Sequence, residues 1–209
     1  MRIGIYGGTF DPVHMAHLIL AEQCREQCQL DEVWFVPAAI PPHKQGRIIS
    51  DSKTRVEMLE LAISGHPGFR ICRLELDRSG PSYTVTTLEQ IHQQTPAAEL
   101  FLLMGSDSIR ELPDWREPGR ILQLATVVAV NRGRDSLMSG ESLAAMEKLG
   151  SERFMQVQMP GIDIAATDIR QRASLGHSLR YLVPRAVEVY IQEHGVFANR
   201  QSSTSLPAP

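Results

Sequence analysis

The stretch Arg2-Ile3-Gly4-Ile5-Tyr6-Gly7-Gly8-Thr9-Phe10-Asp11-Pro12-Val13-His14-Met15-Ala16-His17 decides how this chain is read. RIGIY is a short apolar run closed by two glycines, the pattern of a buried strand entering a tight turn. Asp11 before Pro12 reads as a helix start, a capping acceptor followed by a residue with no N–H to satisfy. Helical periodicity then runs from Met15 to Cys28. Strand, turn and helix thus follow one another without a break.

Outward from this stretch the alternation recurs. Strands are expected at Glu32–Val36, Phe69–Leu76, Glu99–Met104, Ala125–Val130 and Phe154–Met159. Helices are expected at Lys53–Ser64, Tyr83–Gln94, Ile109–Leu112, Arg120–Leu124, Ser142–Leu149, Asp168–Leu175 and Arg185–His194. Most of the strands are continuous apolar runs (EVWFV, ELFLLM, ATVVAV), which suits burial on both faces. The alternation predicts an α/β protein, a Rossmann-like doubly wound parallel sheet with helices on both faces. Residues 1–197 are expected to form one domain. Residues 198–209, rich in Ser, Thr and Pro, read as a flexible tail with little to bury. Ligands of such sheets bind beyond the carboxyl ends of the strands, so chemistry is expected in the turns after the first, fourth and fifth strands.

Composition narrows the class. The chain has 209 residues, is 43% hydrophobic and carries a formal net charge of -3. An acidic chain with no basic run is poorly suited to a nucleic-acid backbone. No apolar run approaches the ~20 residues of a membrane helix, and no signal-peptide pattern precedes the first strand. A cytoplasmic protein without nucleic-acid or membrane partners is expected, with its oligomeric state open. Cys24, Cys28 and Cys72 cannot make a complete disulfide set. Cys24 and Cys28 share a helix face and read as reduced thiols, since no further Cys or His follows at finger spacing. No protein-held metal is expected.

The first turn carries neither Gly-x-Gly-x-x-Gly nor Gly-x4-Gly-Lys-Ser/Thr, the two common phosphate cradles. It offers instead His14 and His17, three apart on one helix face, at the helix end whose N–H groups and dipole favour anions. By itself His-x-x-His also admits a chance surface pair or a zinc pair.

Gly7-Gly8-Thr9-Phe10-Asp11-Pro12-Val13-His14-Met15-Ala16-His17 resembles the GGTFDPxHxGH signature of the nucleotidyltransferase superfamily, with Ala16 in place of the usual glycine. Pro41-Pro42-His43-Lys44 is similar to the PPHK loop of bacterial nicotinate-nucleotide adenylyltransferases. Ser82-Tyr83-Thr84 resembles their SYT segment, Gly105-Ser106-Asp107 with Trp115 their GxD…LxxW segment, and Thr167-Asp168-Ile169-Arg170 the end of their ISSTxIR motif. The resemblance spans residues 2 to about 195. It departs from the family at Ala165 and Ala166, where the family has serines, and at Thr86, where it has an acidic residue.

This resemblance implies transfer of the adenylyl group of ATP to nicotinate mononucleotide, giving deamido-NAD and pyrophosphate, with Mg²⁺ accompanying ATP. It assigns catalysis to His14, His17, Lys44 and Arg170, and ATP contacts to Gly7, Gly8, Thr9, Phe10, Gly105, Asp107 and Thr167. Tyr83, Thr84, Trp115 and Arg132 fall to the mononucleotide. The chemistry asks for position and positive charge, because two anionic groups must meet and the attacking phosphate is already ionised. Taken singly, Arg170 and Lys44 also read as solvated cations, Asp107 as a helix cap and Trp115 as core; Trp34 reads as core. Nicotinamide mononucleotide or phosphopantetheine as acceptor, and a nucleotide sensor without turnover, are the alternatives. A class I aminoacyl-tRNA synthetase would need a Lys-Met-Ser-Lys-Ser-like loop and a tRNA-binding domain, neither of which the sequence contains.

Overall fold

β1 (Arg2–Gly8) lies inside a six-stranded sheet, where its apolar sequence is covered from both sides. The computed structural model describes residues 1–39, 49–132 and 153–198, and only the backbone of Ser106, Asp107, Asn131 and Arg132. The other strands are β2 (Glu32–Pro37), β3 (Phe69–Ile71), β4 (Glu99–Gly105), β5 (Ala125–Arg132) and β6 (Phe154–Met159). They are ordered β3-β2-β1-β4-β5-β6, with every neighbouring pair parallel. The winding reverses between β1 and β4, the switch point where a doubly wound sheet opens a crevice.

Side-chain alternation along the strands splits the core in two. Ile3 and Ile5 of β1, Leu102 of β4 and Val127 of β5 pack with α3 (Thr84–Gln94), α4 (Ser106–Glu111) and α5 (Pro118–Leu124). Tyr6, Leu103 and Val128 point the other way, toward α1 (Met15–Gln27), α2 (Ser52–Ile63), α6 (Ala166–Ser174) and α7 (Arg185–Glu193). Gly4 also belongs to this second face. A Cβ there would stand 2.8 Å from Leu30 and 3.2 Å from Leu103, so only glycine lets that layer close onto β1.

The expected elements within the described residues form, with boundaries moved by up to three residues, and two readings change. β3 stops at Ile71 rather than Leu76. Its ladder ends with the Cys72 N–H on the Phe35 carbonyl, and the register would next set Arg73 opposite Pro37, which has no N–H. The chain turns instead, closed by the Leu76 N–H on the Arg73 carbonyl. Trp34 packs against the core on the α3 side as expected, half-buried, with its indole Nε1 donating to Glu32 at 2.8 Å. Asp11 does not cap α1: His14 is the N-cap residue, and Asp11 is committed elsewhere. The helix expected over 142–149 and residues 199–209 of the expected tail lie outside the described residues. Among the described residues no helix is long and apolar enough to cross a membrane.

Candidate active site

The turn leaving β1 is held rigid from several sides. Phe10 has φ +52, a left-handed conformation that costs a non-glycine residue about 1–2 kcal/mol. The Phe10 ring stabilises it by folding back over Gly8, where a Cβ would lie 2.8 Å from the ring, and by packing edge-on against Tyr6. The next peptide, Asp11–Pro12, is cis. Asp11 is buried; its Oδ2 accepts the Ser50 N–H at 3.2 Å, and its Oδ1 is buried without a hydrogen bond. Beneath the turn lies Arg55 of α2, only 2% exposed. It donates through Nη1 to the Thr9 carbonyl at 2.9 Å and through Nε to the Ser50 carbonyl at 3.1 Å. Burial lowers its pKa from the ordinary arginine value, opposed by the carboxylates of Asp11 and Asp51. A guanidinium stays charged even so.

His14 and His17 sit one above the other at the start of α1, rings stacked with centroids 3.6 Å apart. His14 is buried and His17 half-buried, so His17 is the outer ring of the pair. The His14 N–H donates to His17 Nδ1 at 3.2 Å. That bond makes Nδ1 the acceptor and leaves the ring proton on Nε2, as a donor. The first turn of α1 is less open to anions than the sequence suggests. Its Met15 N–H donates to the Leu182 carbonyl and its His17 N–H to the His14 carbonyl, each at 2.9 Å. Ala16 is buried, so its small side chain packs inward rather than clearing space for a ligand.

Arg170 reaches this turn from the far end of the chain. Its Nη1 donates to the Asp11 carbonyl at 2.7 Å, three residues before His14, and its Nη2 to the Thr167 hydroxyl at 3.3 Å. The N-cap position of α6 belongs to Ala165, without a side-chain cap bond, so Thr167 does not cap that helix. Its hydroxyl orients Arg170 instead. His14, His17 and Arg170 therefore converge on one turn, although no local pattern joins residue 170 to the other two.

Beside this turn a cleft of about 820 Å³ opens between the ends of β1, β2 and β4. Gly7, Gly8, Thr9 and Gly105 form its backbone wall, and Tyr83, Thr84 and Trp115 stand across it. Nothing lies within 4 Å of a Cβ built on Gly7 or Gly105, so both present bare backbone to open space. The histidines and Arg170 do not line the cleft; they adjoin it through Gly8 and Thr9. None of the β5 residues whose side chains are described, Ala125–Val130, lines it, and the turn after the fifth strand, where a contribution was expected, lies outside the described residues.

Trp115 is half-buried, with one part against the α3 side of the core and another on the cleft; its Nε1 is buried without a hydrogen-bond partner. Tyr83 is the N-cap residue of α3, its N–H donating to the Pro81 carbonyl at 3.1 Å, and Thr84 is the first helical residue. Asp107 lies in the first turn of α4, whose N-cap is Gly105, so it is not a cap residue. Arg132 ends β5. Lys44 lies outside the described residues.

Comparison with known proteins fits this arrangement. The cytidylyltransferase-like family matches residues 5–172. A Thermomicrobium roseum protein named "Probable nicotinate-nucleotide adenylyltransferase" is 45% identical over 100% of this chain and 97% of its own length. The chain belongs to the nicotinate-nucleotide adenylyltransferase family. A Thermus thermophilus protein of the same name is 43% identical over 94% of this chain and its full length. At the level of fold, a nicotinic acid mononucleotide adenylyltransferase of Plasmodium falciparum, solved with NaAD, superposes with a TM-score of 0.77 at 17% identity, over 94% of this chain and 97% of its own.

In this member of the nicotinate-nucleotide adenylyltransferase family, sequence reading missed two polar clusters. One is Arg55 with Asp11 and Ser50. The other lines the cleft, where Glu75, 7% exposed, accepts the Thr87 hydroxyl proton at 2.7 Å. Arg78 binds the same Thr87 oxygen at 3.0 Å, the Tyr83 carbonyl at 3.3 Å and Gln90 at 3.0 Å. These bonds fasten the start of α3, whose first turn has no acidic residue now that Thr86 stands there. The sequence signal for both clusters was a charged residue between apolar ones, Arg55 before Val56 in the expected helix and Glu75 between Leu74 and Leu76 in the expected strand.

Proposed function

We propose that the chain transfers the adenylyl group of ATP to nicotinate mononucleotide, giving deamido-NAD and pyrophosphate. The observation that carries this reading is the meeting of His14, His17 and Arg170 at one turn beside a cleft faced by Tyr83, Thr84 and Trp115. The family's full-length likeness supports it.

A phosphate oxygen of the mononucleotide attacks the α-phosphorus of ATP in line. The new P–O bond forms as the bond to the β-phosphate breaks, and pyrophosphate leaves with the electron pair. The attacking oxygen needs no general base, since a phosphate second pKa is about 6. Repulsion between the two anions is offset by the His17 Nε2–H, His14, the Arg170 guanidinium and, from the resemblance, Lys44. ATP would enter as its magnesium complex, and the ion would offset negative charge on the triphosphate. Gly7, Gly8, Thr9, Phe10, Gly105, Asp107 and Thr167 surround ATP. Trp115 stacks on the pyridine ring, Thr84 at the start of α3 receives its carboxylate beside Tyr83, whose own N–H is held by the Pro81 carbonyl, and Arg132 meets the mononucleotide phosphate.

The test is pyrophosphate release from ATP with either pyridine mononucleotide. Faster turnover of the acid is expected; preference for the amide overturns the acceptor assignment, and no release with either overturns the activity. His17→Ala should lower kcat by at least ~100-fold, the scale of losing one preorganised donor to developing charge. A variant with near-normal kcat removes His17 from catalysis.

A further inference from the structure

The start of α1 is the natural seat for a triphosphate, yet several of its donors are spent. Met15 N–H serves Leu182, His17 N–H serves the His14 carbonyl, and His14 N–H serves His17 Nδ1. Beyond the Ala16 N–H, further backbone donors come from the turn before the helix. The Thr9–Phe10 peptide is trans, and in a planar trans peptide the C=O and the following N–H point to opposite sides. Arg55 takes the Thr9 carbonyl at 2.9 Å from the buried side. The Phe10 N–H is thereby turned to the side opposite Arg55, in a residue that is itself only 2% exposed and follows Thr9, which lines the cleft.

The rest of the turn is shaped to keep that peptide in place. Phe10 holds φ +52 with its ring folded on Gly8, so the residue after the peptide is fixed as firmly as the carbonyl before it. Arg55 also binds the Ser50 carbonyl at 3.1 Å, while Ser50 N–H binds Asp11 at 3.2 Å and Arg170 binds the Asp11 carbonyl at 2.7 Å. A buried guanidinium at the Thr9 carbonyl and the Arg170 guanidinium at the Asp11 carbonyl thus brace the same short turn.

We propose that Arg55 is a positioning residue of the ATP site: by capturing the Thr9 carbonyl from within, it aims the Phe10 N–H at an oxygen of the triphosphate. This rests on the reading of the turn as the ATP site. Lysine in its place keeps the charge but lacks the planar fork that spans two carbonyls.

The experiment pairs Arg55→Lys with an observation on the unaltered protein. For Arg55→Lys, kcat/KM for ATP should fall at least 10-fold while the KM for nicotinate mononucleotide stays within twofold. Equal loss toward both substrates, or a lowered Tm with unchanged ATP kinetics, overturns the proposal as mere structural support. In the ¹⁵N-labelled wild-type protein, the Phe10 amide resonance should shift on saturation with a non-hydrolysable ATP analogue. An unmoved Phe10 resonance in the analogue-bound protein overturns the proposal even if Arg55→Lys does not fold. If the wild type releases no pyrophosphate, the proposed activity fails, while the Phe10 response to the analogue still reports on Arg55's role.

Discussion

Trp115 shows at the residue scale how one side chain can belong to core and site together. Part of its ring packs on the α3 side of the core and part faces the cleft, while its Nε1–H is buried with no acceptor. A buried donor left unpaired costs about 1–3 kcal/mol, which a ligand acceptor would relieve. Trp115→Ala should therefore raise the acceptor KM by the ~1–3 kcal/mol of a lost base–aromatic stack, leaving the KM for ATP unchanged. Trp115→Phe, which keeps a ring but loses the N–H, should fall between. Steady-state kinetics in both substrates decides it: lower stability with unchanged acceptor KM would make Trp115 a core residue only. That His14 and His17 would meet on one helix face was legible because they are sequence neighbours, whereas Trp115 came to the cleft only through the resemblance. Arg55 was not legible, since its carbonyl partner Thr9 is 46 positions away, and Arg170 meets Asp11 across 159. Only the resemblance placed residue 170 at the site.

At the scale of elements, α2 carries Arg55 to the turn, and its start is set by Asp51. The Asp51 carboxylate accepts the Thr54 N–H and the Thr54 hydroxyl, each at 2.8 Å, and the first helical bond runs from the Arg55 N–H to the Asp51 carbonyl. The Thr54 bonds hold the Asp51 pKa below its ordinary 3.8, the backbone bond contributing most. A depressed carboxylate stabilises the fold fully above its unfolded pKa and loses that contribution as pH falls through the folded value. Asp51→Ala should cost about 1 kcal/mol at neutral pH, or roughly 2–4 °C in Tm for a domain of this size. The gap from wild type should narrow once pH drops below 3.8. Denaturation across a pH series measures this, and a gap of constant size would show that the charge is not what caps the helix. Asp11-Pro12 looked like a similar cap in sequence and is not one. Local capping rules cannot see that the backbone N–H of Ser50 competes for that carboxylate. β3 was overextended for the same reason, because alternation in residues 69–76 says nothing of Pro37 on the neighbouring strand.

For the whole molecule, the sheet separates two helical layers and the turn of β1 receives ties from both ends of the chain. Whether the layers unfold together can be read from the thiols. Cys24 and Cys28 lie in the core on the α1 side, Cys72 in the core on the α3 side, and all three are free and buried. Burial raises all three thiol pKa values, with Arg2 partly opposing it at Cys28. The reactive species is the thiolate, so the native protein should resist thiol reagents and each cysteine should react only as its own layer opens. Because β1, β4 and β5 supply side chains to both cores, losing either one strips the strands that support the other. One cooperative transition is therefore expected, with all three cysteines labelled along a single urea curve when peptides are mapped by mass spectrometry. Labelling of Cys72 at lower urea than Cys24 and Cys28 would show that the α3 side of the cleft opens on its own. In that case the start of α3 and Trp115 would sit on the softer layer, while the histidine pair and Arg55 remained on the stable one.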